Sequence, residues 1–329
     1  MKNEPLVSII ATFYNSGELV HSAMDSLLKQ SYKNIEFICV NDGSQDNTLS
    51  LLNDYSNKDH RIKVFTKPNE DSPHNAIGFG QKKISGEFVM TFDHDDFLDE
   101  TTIQKAVEAM VQNPDWDASL FKVLSKNVKG EEIELKKRPE KNVLSGKEIV
   151  ISCVNGFEYS IRPFIKTKIF QSEDYCFSKT WQNYDEYIGI KILGNCNKIG
   201  LNDGKYYYLD NPNSITKNLK FRHIEALEVH VILMKKYLVE KNIYQDIKLW
   251  YEPILIKKLN YFVKYYAKDL KNNIEINSEQ EKYAQDLFYR CFHAIDKKLL
   301  IKKSKGLEKL YLKVLYSNFS VYKLIRIMK

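Results

Sequence analysis

The chain has 329 residues, 43% hydrophobic and 28% charged, enough to bury a substantial core without a disulfide framework. Its five cysteines form no Cys-x-x-Cys pair, and their odd number suits a reducing compartment better than a secreted one. The net charge of +6 is gathered at the end, where Lys297 to Lys329 holds a local excess of +9; the remainder is net acidic, so a nucleic-acid binder is not expected.

From the start, Lys2 and Glu4 lead straight into a short apolar run with no long h-region or small-residue cleavage site, the pattern of a cytoplasmic protein. No apolar stretch approaches the roughly 20 residues that span a bilayer. Leu6 to Thr12 reads as a strand and Glu18 to Lys29 as a helix with apolar residues at helical spacing. Ile35 to Asn41 reads as a strand, Thr48 to Tyr55 as a helix, and Arg61 to Thr66 and Glu87 to Phe92 as two more strands. A helix over Gly80 to Ile84 is expected before the last of these. Strands alternating with helices imply a parallel, doubly wound α/β sheet with right-handed crossovers. Thr101 to Val111 reads as a helix, Trp116 to Lys137 as an antiparallel hairpin turning near Lys129-Gly130, and Ser145 to Ser214 as mixed α and β. Beyond Leu219, Leu, Ile, Lys, Glu and Tyr recur at helical spacing with almost no Gly or Pro, which predicts a helical C-terminal region.

Ligands of such sheets bind beyond the carboxyl ends of the strands. The loops there are Thr12 to Asn15, Asn41 to Ser44 and Asp93 to Asp96. Asp93, Asp95, Asp96 and Asp99 follow directly on the apolar strand GEFVMTF. Carboxylates crowded at a strand end repel one another, and Mg²⁺ or Mn²⁺, which take oxygen ligands and keep positions for phosphates, would offset that. Asp99 reads instead as a cap for the following helix. Asp42 could accept a hydrogen bond from a nucleobase imide or a ribose hydroxyl, or equally shape an Asx turn with Gly43. Thr12 and Tyr14 could offer a hydroxyl and an aromatic face to the same base, or simply pack in their loop. Neither a Gly-x-x-x-x-Gly-Lys nor a Gly-x-Gly-x-x-Gly motif occurs, which removes the common phosphate-loop and dinucleotide readings.

Taken together, VSIIATFYN, LLKQSYKNIEFICVNDGSQDNT and GEFVMTFDHDDFLD resemble the N-terminal half of a family 2 glycosyltransferase with the GT-A fold, over Pro5 to about Met110. The resemblance implies a nucleotide-binding half over 1–110, an acceptor half over 111–218, and a helical, basic region over 219–329. It assigns Thr12, Tyr14 and Asp42 to the base, usually uracil, and Asp93, Asp95 and Asp96 to the metal and ribose. The expected function is transfer of a hexose or N-acetylhexosamine from a UDP-sugar to a glycan or lipid-linked acceptor, with inversion, using Mn²⁺ or Mg²⁺, in surface polysaccharide or glycolipid synthesis. Inverting relatives take the acceptor proton with a carboxylate from the second half, typically in a Glu-Asp pair. Here Asp185 is favoured with Glu186 close behind, although their order is reversed; Glu173-Asp174 has the usual order but lies early. Ile77-Gly78 stands where many relatives have Arg-Asn. A noncatalytic GT-A subunit remains the alternative from another class, and a metal-dependent nucleotidyltransferase or nucleotide-sugar hydrolase a third. The basic tail from Lys297 has the composition of an amphipathic helix, which could lie on the anionic inner face of a cell membrane or pack on its own domain.

Overall fold

The computed structural model describes residues 4–70, 73–126, 130–135, 139–155, 162–175, 184–209, 226–271, 278–296 and 298–299, with the backbone alone described at 73, 185, 260–271 and 280. The basic stretch after Leu299, and with it the surface helix expected there, lies outside the described residues. The chain divides into two compact units, Met1–Thr180 with Ile188–Ser214, and Trp181–Tyr187 with Ile215–Lys329.

In the first unit, β1 (Val7–Phe13), β2 (Ile35–Asn41), β3 (Ile62–Thr66) and β4 (Phe88–Asp93) are mutually parallel, in the spatial order β3-β2-β1-β4. All of β2 and all of β1 except Thr12 are buried, as expected of strands covered on both faces, and this accounts for their unbroken apolar runs. The helix α1 (Leu19–Leu28) turns Val20, Ala23, Met24 and Leu27 to the core, and α4 (Thr102–Gln112) turns Ile103, Ala106, Val107 and Met110. These are the i, i+3, i+4, i+7 positions of one helical face. Between α1 and α4 lie α2 (Thr48–Lys58), α3 (Pro73–Gln81) and the short β5 (Phe97–Leu98). The helix expected over Gly80 to Ile84 is displaced: α3 ends where that one was to begin. Its glycines obscured it, and Gly80 is there for a packing reason, since a Cβ would lie 2.6 Å from Cγ2 of Ile10 on β1.

The sheet continues as β4-β9-β6-β10-β5 through β6 (Ala118–Lys126), β9 (Pro163–Lys166) and β10 (Ile199–Tyr207), and it is mixed rather than wholly parallel. β9 runs antiparallel to both β4 and β6, while β6 and β10 are parallel to each other. The hairpin is present, with β7 (Glu132–Glu134) antiparallel to β6. β8 (Val143–Leu144) pairs with the leading end of β10, Leu144 opposite Ile199. From there the chain enters α5 (Gly146–Val154), which a reciprocal Ser145–Glu148 capping box starts. After β9 come α6 (Thr167–Phe170) and α7 (Tyr184–Gly194).

The second unit contains a π-helical turn Glu228–Leu233, α8 (Met234–Glu240), α9 (Tyr244–Lys271) and α10 (Ser278–Ala294). Its core includes Leu227, Leu238, Leu255, Leu287, Phe288 and Phe292. Glu252, fully buried on α9, accepts hydrogen bonds from Lys235 Nζ, from the Tyr244 hydroxyl at 2.7 Å and from the Asp296 N–H at 2.7 Å. A carboxylate with that many donors can be buried without a prohibitive desolvation cost. No helix among the described residues is long and apolar enough to cross a membrane. Cys39, Cys153, Cys196 and Cys291 are buried thiols, as small apolar side chains commonly are.

Candidate active site

Six strands, β1 to β4 with β6 and β10, run in the same direction, so their trailing ends share one edge of the sheet. The register sets Thr12 of β1 level with Val40 on one side and Asp93 on the other, and Phe13 level with Asn41. The three loops singled out in the sequence therefore meet at that edge. The first two are tied together: the Asn15 N–H donates to Ser44 Oγ at 3.0 Å, and the Gln45 N–H donates to Asn15 Oδ1 at 2.8 Å. Asn15 adopts a positive φ of 45°, and Tyr14 beside it is exposed.

Asp42 is buried at the end of β2. Its N–H donates to the Phe13 carbonyl at 2.8 Å, and its Oδ1 accepts from Lys67 Nζ at 2.8 Å, an ion pair buried on both sides. Asn69 Nδ2 donates to the Asp42 carbonyl at 3.0 Å. Gly43 follows at φ +70°, and a Cβ there would lie 2.6 Å from the Asn69 backbone nitrogen, so glycine alone fits this turn. Asp42 thus has both a turn-shaping backbone and a charged side-chain partner.

At the end of β4, Asp93, Asp95 and Asp96 can bring one carboxylate oxygen each within 4.8 Å of one another. Asp96 is buried: its Oδ2 accepts from the Tyr206 hydroxyl at 2.6 Å and its Oδ1 from the Leu209 N–H at 3.1 Å. Arg162, immediately before β9, donates from Nη2 to Asp93 Oδ2 and from Nη1 to the Tyr206 oxygen at 3.2 Å. Its guanidinium carbon stands 5.3 Å from the centre of the Tyr206 ring. Burial, followed by the charge of Asp93, pushes the Asp96 carboxyl up to about 7. Burial also opposes the charge on Asp93, but the Arg162 guanidinium prevails and holds that carboxyl below the usual range. Tyr208 is partly exposed, and burial together with Asp96 and Asp95 raises its hydroxyl, so it lies within the field of the cluster. Asp99 stands apart, accepting from the Thr101 N–H at 3.1 Å and hydroxyl at 2.7 Å just ahead of α4. Three hard carboxylates converging at one strand end are a donor set that fits Mn²⁺ or Mg²⁺.

Asp185 and Glu186 lie in the first turn of α7; the Asp185 side chain is outside the described residues, and Glu186 is half-buried. Burial lowers the pKa of Lys258, and the negative charge of Glu186 works against that shift. Glu173 is taken up structurally by Lys191 Nζ and by Asn195 Nδ2, the latter at 3.1 Å. Sequence reasoning missed three groups: Lys67, Arg162 and Tyr206. Lys67 had a signal, since it follows the trailing end of β3; Arg162 had none.

Residues 8–171 match the model of the family described as Glycosyl transferase family 2. The chain belongs to that family. A relative in Haemophilus influenzae, an uncharacterized glycosyltransferase, is 25% identical over 311 residues, covering 84% of this chain and 96% of its own. Another from the same organism and under the same description is 37% identical over 111 residues, 34% of this chain and 44% of its own, so the chain spans under half of that relative. Among solved structures, Staphylococcus aureus TarS 1-349 in complex with UDP-GlcNAc superposes with a TM-score of 0.65 at 17% identity, covering 94% of this chain and 87% of that one. At that identity the likeness establishes the GT-A fold. Family 2 sequence and GT-A architecture thus coincide on the half of the chain that carries the acidic strand end.

Proposed function

We propose that this protein is an inverting, metal-dependent glycosyltransferase that moves a hexose or N-acetylhexosamine from a UDP-sugar to a glycan or lipid-linked acceptor of a surface polysaccharide. The observation that carries the reading is the strand-edge register, which sets Thr12 level with Asp93 and gathers the loops of Asp42 and Tyr14 on the same edge. The UDP-GlcNAc complex of TarS, a protein of the same fold, supports a UDP-N-acetylhexosamine as the first donor to test.

In this reading Asp42, Thr12 and Tyr14 hold the base and ribose, with Lys67 fixing the Asp42 carboxylate from behind. Asp93, Asp95 and Asp96 would hold Mn²⁺ or Mg²⁺. A divalent ion there supplies positive charge to the departing diphosphate. Tyr206 and the Leu209 N–H fix both oxygens of Asp96, so the cluster is oriented before any ligand arrives. Asp185 or Glu186 takes the proton of the acceptor hydroxyl as its oxygen attacks the anomeric carbon and UDP leaves from the opposite face.

The test is release of nucleoside diphosphate from a panel of UDP-sugars and GDP-mannose, with and without Mn²⁺, by the parent chain and by Asp95→Asn, Asp185→Asn and Glu186→Gln. Release from a UDP-sugar that needs metal and Asp95, and that falls in one of the acidic-pair variants, is the expected result. Release unaffected by chelation or by Asp95→Asn, or no release from any donor, would sink the reading.

A further inference from the structure

We infer that Arg162 is a resident counter-cation of the acidic cluster, which gives up Asp93 when the divalent ion binds and turns its guanidinium to the donor's diphosphate. The inference rests on the metal-dependent transferase reading above.

Three carboxylates able to converge within 4.8 Å repel one another, and the protein offsets this in two ways. Asp96 is satisfied by neutral donors, the Tyr206 hydroxyl and the Leu209 N–H. Asp93 is satisfied by a full positive charge, donated from Nη2 of Arg162. That difference matters for a cation entering the cluster. A hydroxyl and an N–H tolerate a positive charge on the far side of the carboxylate they hold, whereas a guanidinium on Oδ2 is a second cation competing with it for the same carboxylate. Asp93 is therefore a ligand that an entering metal must win from the protein.

Once released, Arg162 keeps its place. It is anchored by the start of β9 and also donates to the Tyr206 oxygen, which is itself held to Asp96. The planar fork of an arginine matches paired phosphate oxygens as well as it matches a carboxylate. A diphosphate arriving with the metal would thus meet a guanidinium just freed from Asp93. Metal and nucleotide would each favour the other through one side chain, a coupling that is reciprocal by linkage.

The test uses the full chain and measures free Mn²⁺ by electron paramagnetic resonance, with UDP and uridine followed by calorimetry. Without nucleotide, Arg162→Gln should bind Mn²⁺ about tenfold more tightly than the parent, the scale of one lost charge-assisted contact. In saturating Mn²⁺ the same variant should bind UDP about tenfold more weakly while uridine, which lacks the phosphates, is unchanged. Arg162→Lys keeps the charge without the fork and should also bind Mn²⁺ more tightly, by about threefold, which separates a clamp on Asp93 from a general field and serves if the glutamine variant does not fold. Mn²⁺ affinity unchanged in both variants, or UDP and uridine weakened alike, would overturn the inference. If the parent itself binds no UDP in Mn²⁺, the transferase reading fails first; if the parent binds UDP and the variants leave Mn²⁺ affinity unmoved, only the role of Arg162 fails.

Discussion

Tyr206 donates its hydroxyl to the Asp96 carboxylate at 2.6 Å, tying the end of β10 to a turn 110 residues earlier. The same oxygen receives Nη1 of Arg162, so one fully buried phenol fixes both an acid of the cluster and its cation.

Replacing Tyr206 with Phe keeps the ring and removes that oxygen. Asp96 Oδ2 then loses a donor and Arg162 Nη1 an acceptor, at a cost of about 1–3 kcal/mol in stability. Urea denaturation should show the loss, and the nucleotide titration should show weaker metal-dependent binding. Unchanged stability would mean that water replaces the hydroxyl and that the phenol is not what orients the cluster.

Lys67 and Asp42 form a buried pair, so removing the lysine takes away a cation that faces the carboxylate. Lys67→Met should cost about 3–5 kcal/mol because the buried Asp42 carboxylate loses a charged partner. The double variant Asp42→Asn/Lys67→Met should recover most of that stability while UDP binding stays lost. A double variant that recovers both would show that the Asp42 charge serves the fold and not the nucleotide.

Glu36 tests the pH dependence of the frame that carries β2. It is buried, and its Oε1 accepts from the Ser8 hydroxyl at 2.6 Å, the Ser85 N–H at 2.6 Å and the Ser85 hydroxyl at 2.9 Å, with Lys63 Nζ at 2.7 Å from Oε2. Burial works against its charge, but Lys63, Ser8 and Ser85 together prevail and hold the carboxyl below its ordinary value of 4.5. A depressed folded pKa means that the unfolded chain binds the proton first on acidification. The stabilisation is therefore complete above about 4.5 and is lost as the pH falls through the folded value. The stability gap between the parent and Glu36→Gln should be widest at neutral pH, about 1–3 kcal/mol, and close in acid. A gap independent of pH would mean that the amide fails for steric reasons and not for want of charge.

Much of this site was legible in the sequence because its parts are local. An apolar run followed at once by Asp42-Gly43, or by Asp93 to Asp96, announces a strand and its trailing loop together. The strand order then places those loops on one edge without further information. The groups that were missed are the ones that reach the edge by a different route. Arg162 gets there because β9 runs antiparallel, which brings its leading end beside the trailing end of β4, and no local pattern around Pro163 to Lys166 reveals that direction. Tyr206 was visible as one of three consecutive tyrosines, but alternation along β10 gives it and Tyr207 different tasks. Tyr206 turns to the cluster, while Tyr207 stacks on Phe97 at 4.3 Å. The helix α3 was misplaced because Gly78 and Gly80 lower its intrinsic propensity; the close approach to Ile10 that requires Gly80 is a tertiary fact.

The most direct measurement of the central claim is calorimetric titration of UDP into the full chain, with and without Mn²⁺, repeated with GDP and with Asp95→Asn. Binding of UDP that requires Mn²⁺, exceeds that of GDP and disappears in Asp95→Asn is the predicted result. Absence of binding to either nucleotide, or binding that ignores both the metal and Asp95, would contradict it and leave a GT-A fold that serves some purpose other than sugar transfer.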